Sequence, residues 1–187
     1  MATCNEIITG ALVVLGKLRA GKVASGQDLA DGMEALKGIY EDVITSGSRG
    51  RLTNVIATEA YTAGENERVT DAGFAITKPT AITDEATGND RPVYDLSIIQ
   101  VVGTNPGTWI YEASLGAWSQ LDTITATGEA PLSSTRSLGL KARLALELAD
   151  AYGASPSAVV LRNAQKFQAW LARVPTDENA DANPTYF

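Results

Sequence analysis

The chain has 187 residues, 44% of them hydrophobic and 20% charged, with a formal net charge of −7; this predicts one compact domain, or one domain with a sizeable insertion, and excludes a DNA-wrapping polycation. There is no histidine and a single cysteine, Cys4, which removes the commonest general base and rules out an internal disulfide and any multi-cysteine zinc or iron–sulfur site. The longest apolar run, Ala11 to Gly16, meets Lys17 and Arg19 long before the roughly 20 residues of a membrane-spanning helix, and Met1 to Glu6 lacks a basic leader, so the expectation is a soluble protein made in a cytoplasm, with no membrane partner.

Residues 1–51 carry six acids and six bases and read as two helices. Thr3-Cys4-Asn5-Glu6 fits a capping box, in which Thr3 and Glu6 reciprocally satisfy free backbone N–H groups. Ile8, Ala11, Leu12, Leu15 and Leu18 then fall on one helical face, with Gly21 as the expected terminator. Ser25-Gly26-Gln27-Asp28 repeats the capping pattern, and Leu29, Met33, Leu36, Tyr40 and Val43 form the next stripe, ended by Gly47 and Gly50. Two helices with a short link make an antiparallel hairpin.

Residues 52–130 change character, with eleven acids against three bases. Val55 to Tyr61, Asn66 to Val69 and Tyr94 to Val102 are expected strands, and Thr108 to Glu112 and Ala117 to Leu121 form a hairpin around Ser114-Leu115-Gly116. Asn89-Asp90-Arg91-Pro92 and Thr104-Asn105-Pro106-Gly107 are expected turns. The insertion is expected to be a small, mostly antiparallel sheet.

Helical period returns after Pro131. Leu140, Leu144, Leu148 and Tyr152 share a face, and Gly153 is a natural residue to follow the helix. Ser155-Pro156 then offers an N-cap and a first-turn proline, followed by Val160, Ala164, Phe167, Leu171 and Val174 in one stripe, with Trp170 at its edge and Pro175 as the stop. This second helical hairpin is basic through Arg136, Lys141, Arg143, Arg162, Lys166 and Arg173. The patch suits an acidic partner, and pairing with the acid-rich insertion of a neighbouring subunit is preferred over a phosphate surface. The stretch 175–187 is polar, acidic and proline-broken, yet carries Pro184, Tyr186 and Phe187, an arrangement expected of an extended segment that anchors on a partner. The fold class is therefore α+β: 1–51 and 131–174 as two helical hairpins forming a four-helix bundle, 52–130 as an inserted β subdomain, and 175–187 as a tail.

No catalytic, cofactor-binding or metal-binding constellation is found. Gly10 to Leu18 approaches a phosphate loop, but five residues separate the glycines and Leu18 stands where Ser or Thr is needed. Serine–histidine chemistry lacks its histidine, no Ser-x-x-Lys occurs, and acid pairs such as Glu41/Asp42 and Asp84/Glu85 read as surface charge. No calcium-loop spacing and no base-stacking platform is present. An enzyme is not expected.

The helical ends resemble the head-to-tail adaptor (connector) proteins of tailed bacteriophages. The similar stretches are Ile7 to Gly16, of the form A-L-x-x-L-G, and Leu29 to Leu36. At the other end they are Leu144 to Gly153, of the form L-A-x-x-Y-G, and Leu161 to Gln165. The resemblance covers about half of the chain, and its specificity lies in order and spacing. It implies a structural virion protein of the neck, without cofactors. Such a protein forms a homo-oligomeric ring, dodecameric by the resemblance, under the portal protein. The ring extends the channel for double-stranded DNA, which passes without sequence recognition, and presents a platform to a downstream tail or neck protein. In that setting Pro184, Tyr186 and Phe187 are expected to dock on the portal, and Asp84, Glu85 and Asp90 to repel DNA from the channel wall. The alternatives left open are a monomeric binding module and a carboxylate-dependent glycosidase.

Overall fold

The computed structural model describes residues 2–45, 52–57, 81–83, 90–92, 95–101 and 107–172. Its architecture is α+β. Four helices lie among these residues: α1 (Cys4–Val14), α2 (Gly26–Thr45), α3 (Ser133–Ala149) and α4 (Ala158–Leu171). Between α2 and α3 come β1 (Leu52–Ala57), β2 (Ala81–Thr83), β3 (Asp90–Pro92), β4 (Ile98–Val101), β5 (Gly107–Glu112) and β6 (Ala117–Gln120). One sheet has the order β1-β4-β5-β6, with β1 parallel to β4 and the other pairs antiparallel; β2 and β3 form a separate antiparallel pair. No described helix is long and apolar enough to cross a membrane.

The start of α1 follows its local chemistry. Thr3 Oγ1 accepts from Glu6 N at 3.2 Å and Glu6 Oε2 accepts from Thr3 N at 2.8 Å, completing the capping box. The next free donors of the first turn are taken from afar: Cys4 N donates to Gly128 O and Asn5 N to Ala126 O, both at 2.9 Å. The residues just before α3 thus lace to the start of the chain. The helix ends earlier than its apolar period suggests. Gly16 has φ +78, and Lys17 N reaches back to Leu12 O at 2.9 Å, a left-handed C-terminal cap that a glycine adopts without steric cost. Leu15 and Leu18 still pack on the core, but from beyond the helix.

Other expectations shift in register. The first strand starts at Leu52, three residues before Val55. Of the expected Asn89 to Pro92 turn, Asp90–Pro92 form β3, in which Asp90 pairs with Thr83, and Asn89 lies outside the described residues. The strand expected from Tyr94 begins only at Ile98, because Leu96 lies in a turn with φ +66. The expected strand Asn66 to Val69, the turn residues Thr104 to Pro106, and the helix stops at Gly47, Gly50 and Pro175 lie outside the described residues. The hairpin around Ser114 to Gly116 is present, closed by Gly116 at φ +61. Helix α4 starts two residues later than the Ser155-Pro156 pair implies, capped by Ser157, whose hydroxyl accepts from Val160 N at 3.4 Å. It ends at Leu171, and Trp170 is 9% exposed, a core residue and not an edge one.

One apolar cluster joins the layers. Ile7, Ile8 and Leu12 of α1, Leu36 and Tyr40 of α2, Leu140 and Leu144 of α3, and Phe167 of α4 are buried with Ile98, Ile110, Leu121 and Leu132. Each such side chain contributes about 1.5–3 kcal/mol when fully buried. α3 is the hub: it packs against α1, α2 and α4. Glycine lets two of the crossings close. A Cβ on Gly32 would collide with Ile8 of α1, and one on Gly139 would lie 2.8 Å from Phe167 Cβ of α4.

Candidate functional site

Strand β5 is buried along its length, and its alternation gives it two roles. Ile110 joins Ile98 in the helical core, whereas Trp109 and Tyr111 point the other way. On that second face Trp118 of β6 stands opposite Tyr111, with ring centroids 5.3 Å apart and planes inclined at 57°. Glu112 ends the strand on the core side and is 1% exposed.

Glu112 is the electrostatic knot of the molecule. Its Oε1 accepts from Leu132 N at 2.9 Å and from Ser119 Oγ at 3.1 Å, and its Oε2 accepts from Ser134 Oγ at 2.5 Å. The carboxylate therefore binds β5, β6 and the beginning of α3 together. Leu132, the N-cap of α3, is buried and left-handed (φ +65), and its own side chain offers no cap. Glu112 accepts the N–H of that residue instead, and α3 is kinked at Arg136 (φ −132, ψ 31), so residues 133–135 form one turn set off from the rest of the helix. Next to it Tyr40 donates to Pro131 O at 2.8 Å. Burial, followed by the nearby Cys4 and Glu112, pushes the Tyr40 phenol well above its ordinary range, so it remains a donor.

The basic residues of the second hairpin are separated by the fold. On α3, Arg136 sits over the Trp170 ring of α4 at 5.5 Å, the stem of Lys141 lies against Gly10 of α1, and Arg143 reaches Asp42 of α2 at 3.5 Å and Glu147 at 2.6 Å. Three cations of one helix thus face three different neighbours. Arg162 and Lys166 of α4 remain exposed, one turn apart. Arg173 lies outside the described residues, as do Asp84, Glu85, Pro184, Tyr186 and Phe187; Asp90 is described as a backbone position of β3.

An open groove of about 590 Å³ runs between α2 and α3. Gly38, Ile39 and Leu148 contribute to its lining, and Asp31, Glu34, Asp42 and Glu147 bring carboxylates to it. Asp31, Glu34, Gly38 and Asp42 recur at helical spacing along one face of α2. Sequence reasoning found neither this groove nor the role of Glu112. The signal for the groove was present in α2, which carries five acids and one lysine.

Among the described residues no three metal-ligating side chains gather. Cys4 is fully buried, and burial raises its thiol to about 11, so it is protonated at neutral pH. The three donors on Glu112 hold its oxygens in structural bonds. The described surface carries an acidic groove, a cationic helix face, and exposed apolar side chains at Val23, Leu138, Val159 and Leu161. No family model matches the chain, and no curated protein matches it.

Proposed function

We propose that this chain is a head-to-tail adaptor of a tailed bacteriophage, a structural protein whose copies form a ring beneath the portal and join the capsid vertex to the tail. In this proposal the two helical hairpins form a four-helix bundle, the β insertion meets a tail or neck component, and the segment 175–187 extends to the portal through Tyr186 and Phe187. The location is the virion neck, and DNA passes through the ring without sequence recognition.

One observation supports the proposal above others. The residues that carry the resemblance are those that build the helical core and end its helices. Ala11, Leu12, Leu36, Leu144, Ala145, Leu148 and Ala164 are all buried in the shared cluster. The glycines that close the A-L-x-x-L-G and L-A-x-x-Y-G stretches, Gly16 and Gly153, both take positive φ, at +78 and +57. The similarity thus falls in good part on packing and chain reversal, which decide a fold, although Leu161, Arg162 and Gln165 of the last similar stretch are exposed. The placement of the β hairpin adds support: Glu112 ties it to the first turn of α3, as a platform that must stay fixed to its bundle requires.

The test is co-sedimentation with the portal ring of the phage that encodes the chain, using the full chain and the chain truncated after Val174. Binding at ring stoichiometry by the full chain, lost on truncation, is the expected result. Failure of the full chain to bind overturns the adaptor and favours a monomeric binding module. Equal binding by the truncated chain removes the tail anchor.

A further inference from the structure

We infer that copies of this chain associate with one another by seating the outer face of α4 in the α2–α3 groove of the next copy. The choice of a second copy as the occupant rests on the ring proposed above; the placement of the contact rests on the two surfaces themselves.

The groove is apolar below and acidic above. Ile39 and Leu148 are buried at its floor, and a Cβ on Gly38 would meet nothing within 4 Å, so the floor is open. Asp31 and Glu34 stand on its α2 side, and neither forms an ion pair among the described residues, whereas Asp42 and Glu147 already share Arg143. Among the described residues the four carboxylates of the groove are thus met by one cation. From Asp31 to Asp42 the acidic row runs about 16 Å along the helix.

The complementary surface lies on α4. Val159, Arg162, Lys166 and Ala169 fall at i, i+3, i+7 and i+10 and are all exposed, Val159 at 55%. They lie away from Val160 and Ala164 of the stripe that α4 buries, and the buried Trp170 borders them beside Val159 and Lys166. The helix carries these two cations and no acid. Two cations set between apolar residues on one helical face match an apolar floor with an acidic rim. The small side chain of Ala169 keeps the far end of that face low, which suits close approach. Helix packing at about 8–10 Å between axes brings such a face into a groove between two helices. The groove and the α4 face are different patches of the same molecule, so the contact is heterologous, the kind that generates rings when its rotation closes. This places the partner acids on α2, not in the 52–130 insertion where sequence charge alone put them.

Charge reversal with cross-rescue tests the contact. One variant carries Arg162→Glu and Lys166→Glu; the other carries Asp31→Lys and Glu34→Lys. Far-UV circular dichroism and thermal melts establish that both fold. Sedimentation velocity at low salt and up to millimolar concentration then measures self-association. The wild-type chain is expected to associate, and each variant alone to associate about a hundredfold more weakly, since like charges then oppose each other across the interface. Mixing the two variants is expected to restore association, because the reversed α4 then meets the reversed groove. A third variant, Gly38→Trp, places a side chain in the open floor and is expected to block association while leaving the helix intact. A wild-type chain that stays monomeric throughout overturns the inference, as does association that the reversals leave unchanged or that mixing fails to rescue. The two proposals fail separately. Rings that the charge-reversed variants form normally on the portal would remove this contact and leave the adaptor, whereas rescued self-association by a chain that ignores the portal would do the opposite.

Discussion

Replacing Glu112 by alanine removes the acceptor for three donors at once. Leu132 N, held at 2.9 Å, belongs to a buried residue at the first turn of a helix and has nowhere to turn. Ser119 Oγ and Ser134 Oγ can rotate toward other partners and lose less. A buried donor left unmade costs about 1–3 kcal/mol. Against this, the alanine avoids the several kcal/mol of desolvation that the carboxylate bears. No charge is left unpaired, so the net loss is set by the unmade Leu132 donor and the two lost serine bonds, about 2–3 kcal/mol. That is a large part of the roughly 5–15 kcal/mol that holds a domain folded. Glu112→Gln retains an acceptor for Leu132 N and is expected to lose about 1–2 kcal/mol, the difference between a charge-assisted and a neutral hydrogen bond. Urea denaturation measures both, followed by far-UV circular dichroism for the helices and by tryptophan fluorescence, to which Trp109 and Trp118 of the hairpin contribute. The two probes should report one transition, because hairpin and helices share a core. A Glu112→Ala chain within about 1 kcal/mol of wild type would refute the knot, and equal losses for Ala and Gln would refute the part assigned to the retained acceptor.

Two glycines of α2 are expected to respond to alanine with opposite signs. At Gly32 the new methyl collides with Ile8, and overpacking of about 1–3 kcal/mol outweighs the helix-propensity gain, whereas at Gly38 it meets open space and should stabilise by about 0.5–1 kcal/mol. Thermal denaturation of both variants gives the signs directly, and a matching sign would contradict the close crossing of α1 and α2. The Cys4 thiol is expected to resist alkylation in the folded protein at neutral pH and to react once urea unfolds the chain. Its folded value of about 11 lies above the ordinary 9.0, so its contribution to stability is fully present below about pH 9 and is lost as pH rises toward 11. Cys4→Ala should flatten that part of the alkaline stability profile; an unchanged slope would assign it to tyrosines such as Tyr152, itself raised to about 12 chiefly by burial and by its bond to Asp28.

What could be read from sequence was local. The capping box of α1 lies within four residues, and the hairpin between β5 and β6 needs one turn with a glycine, so both were visible. The end of α1 was hidden because Leu15 and Leu18 keep a helical spacing although the chain reverses at Gly16. At α4 two serines offer the same capping chemistry two residues apart, and Ser157 is the one whose helix buries Val160, Ala164 and Phe167. The basic excess of the second hairpin is a fact of composition, but counting along the chain does not give direction around a helix. Arg136, Lys141 and Arg143 look like neighbours in sequence and engage α4, α1 and α2. Glu112 looks like any polar residue at the end of a strand. Its partners Leu132 and Ser134 lie 20 and 22 residues on, and no pattern of short period joins them.

The position of that knot bears on how the protein carries load. Leu132 sits in a left-handed conformation that costs a residue with a side chain about 1–2 kcal/mol. Three interactions hold it there: burial of its own side chain, the Glu112 carboxylate on its N–H, and the Tyr40 hydroxyl on the carbonyl just before it. They come from the core, from the β hairpin and from α2. A force on the hairpin that moved Glu112 would break the cap of α3 at its strained residue, and α3 packs on all three other helices. Small displacements are therefore opposed by the hydrogen bonds of Glu112 and Tyr40. In an adaptor, the surface offered to a tail component would keep its position relative to the helices that contact neighbouring copies, so that binding at one face is felt at the other.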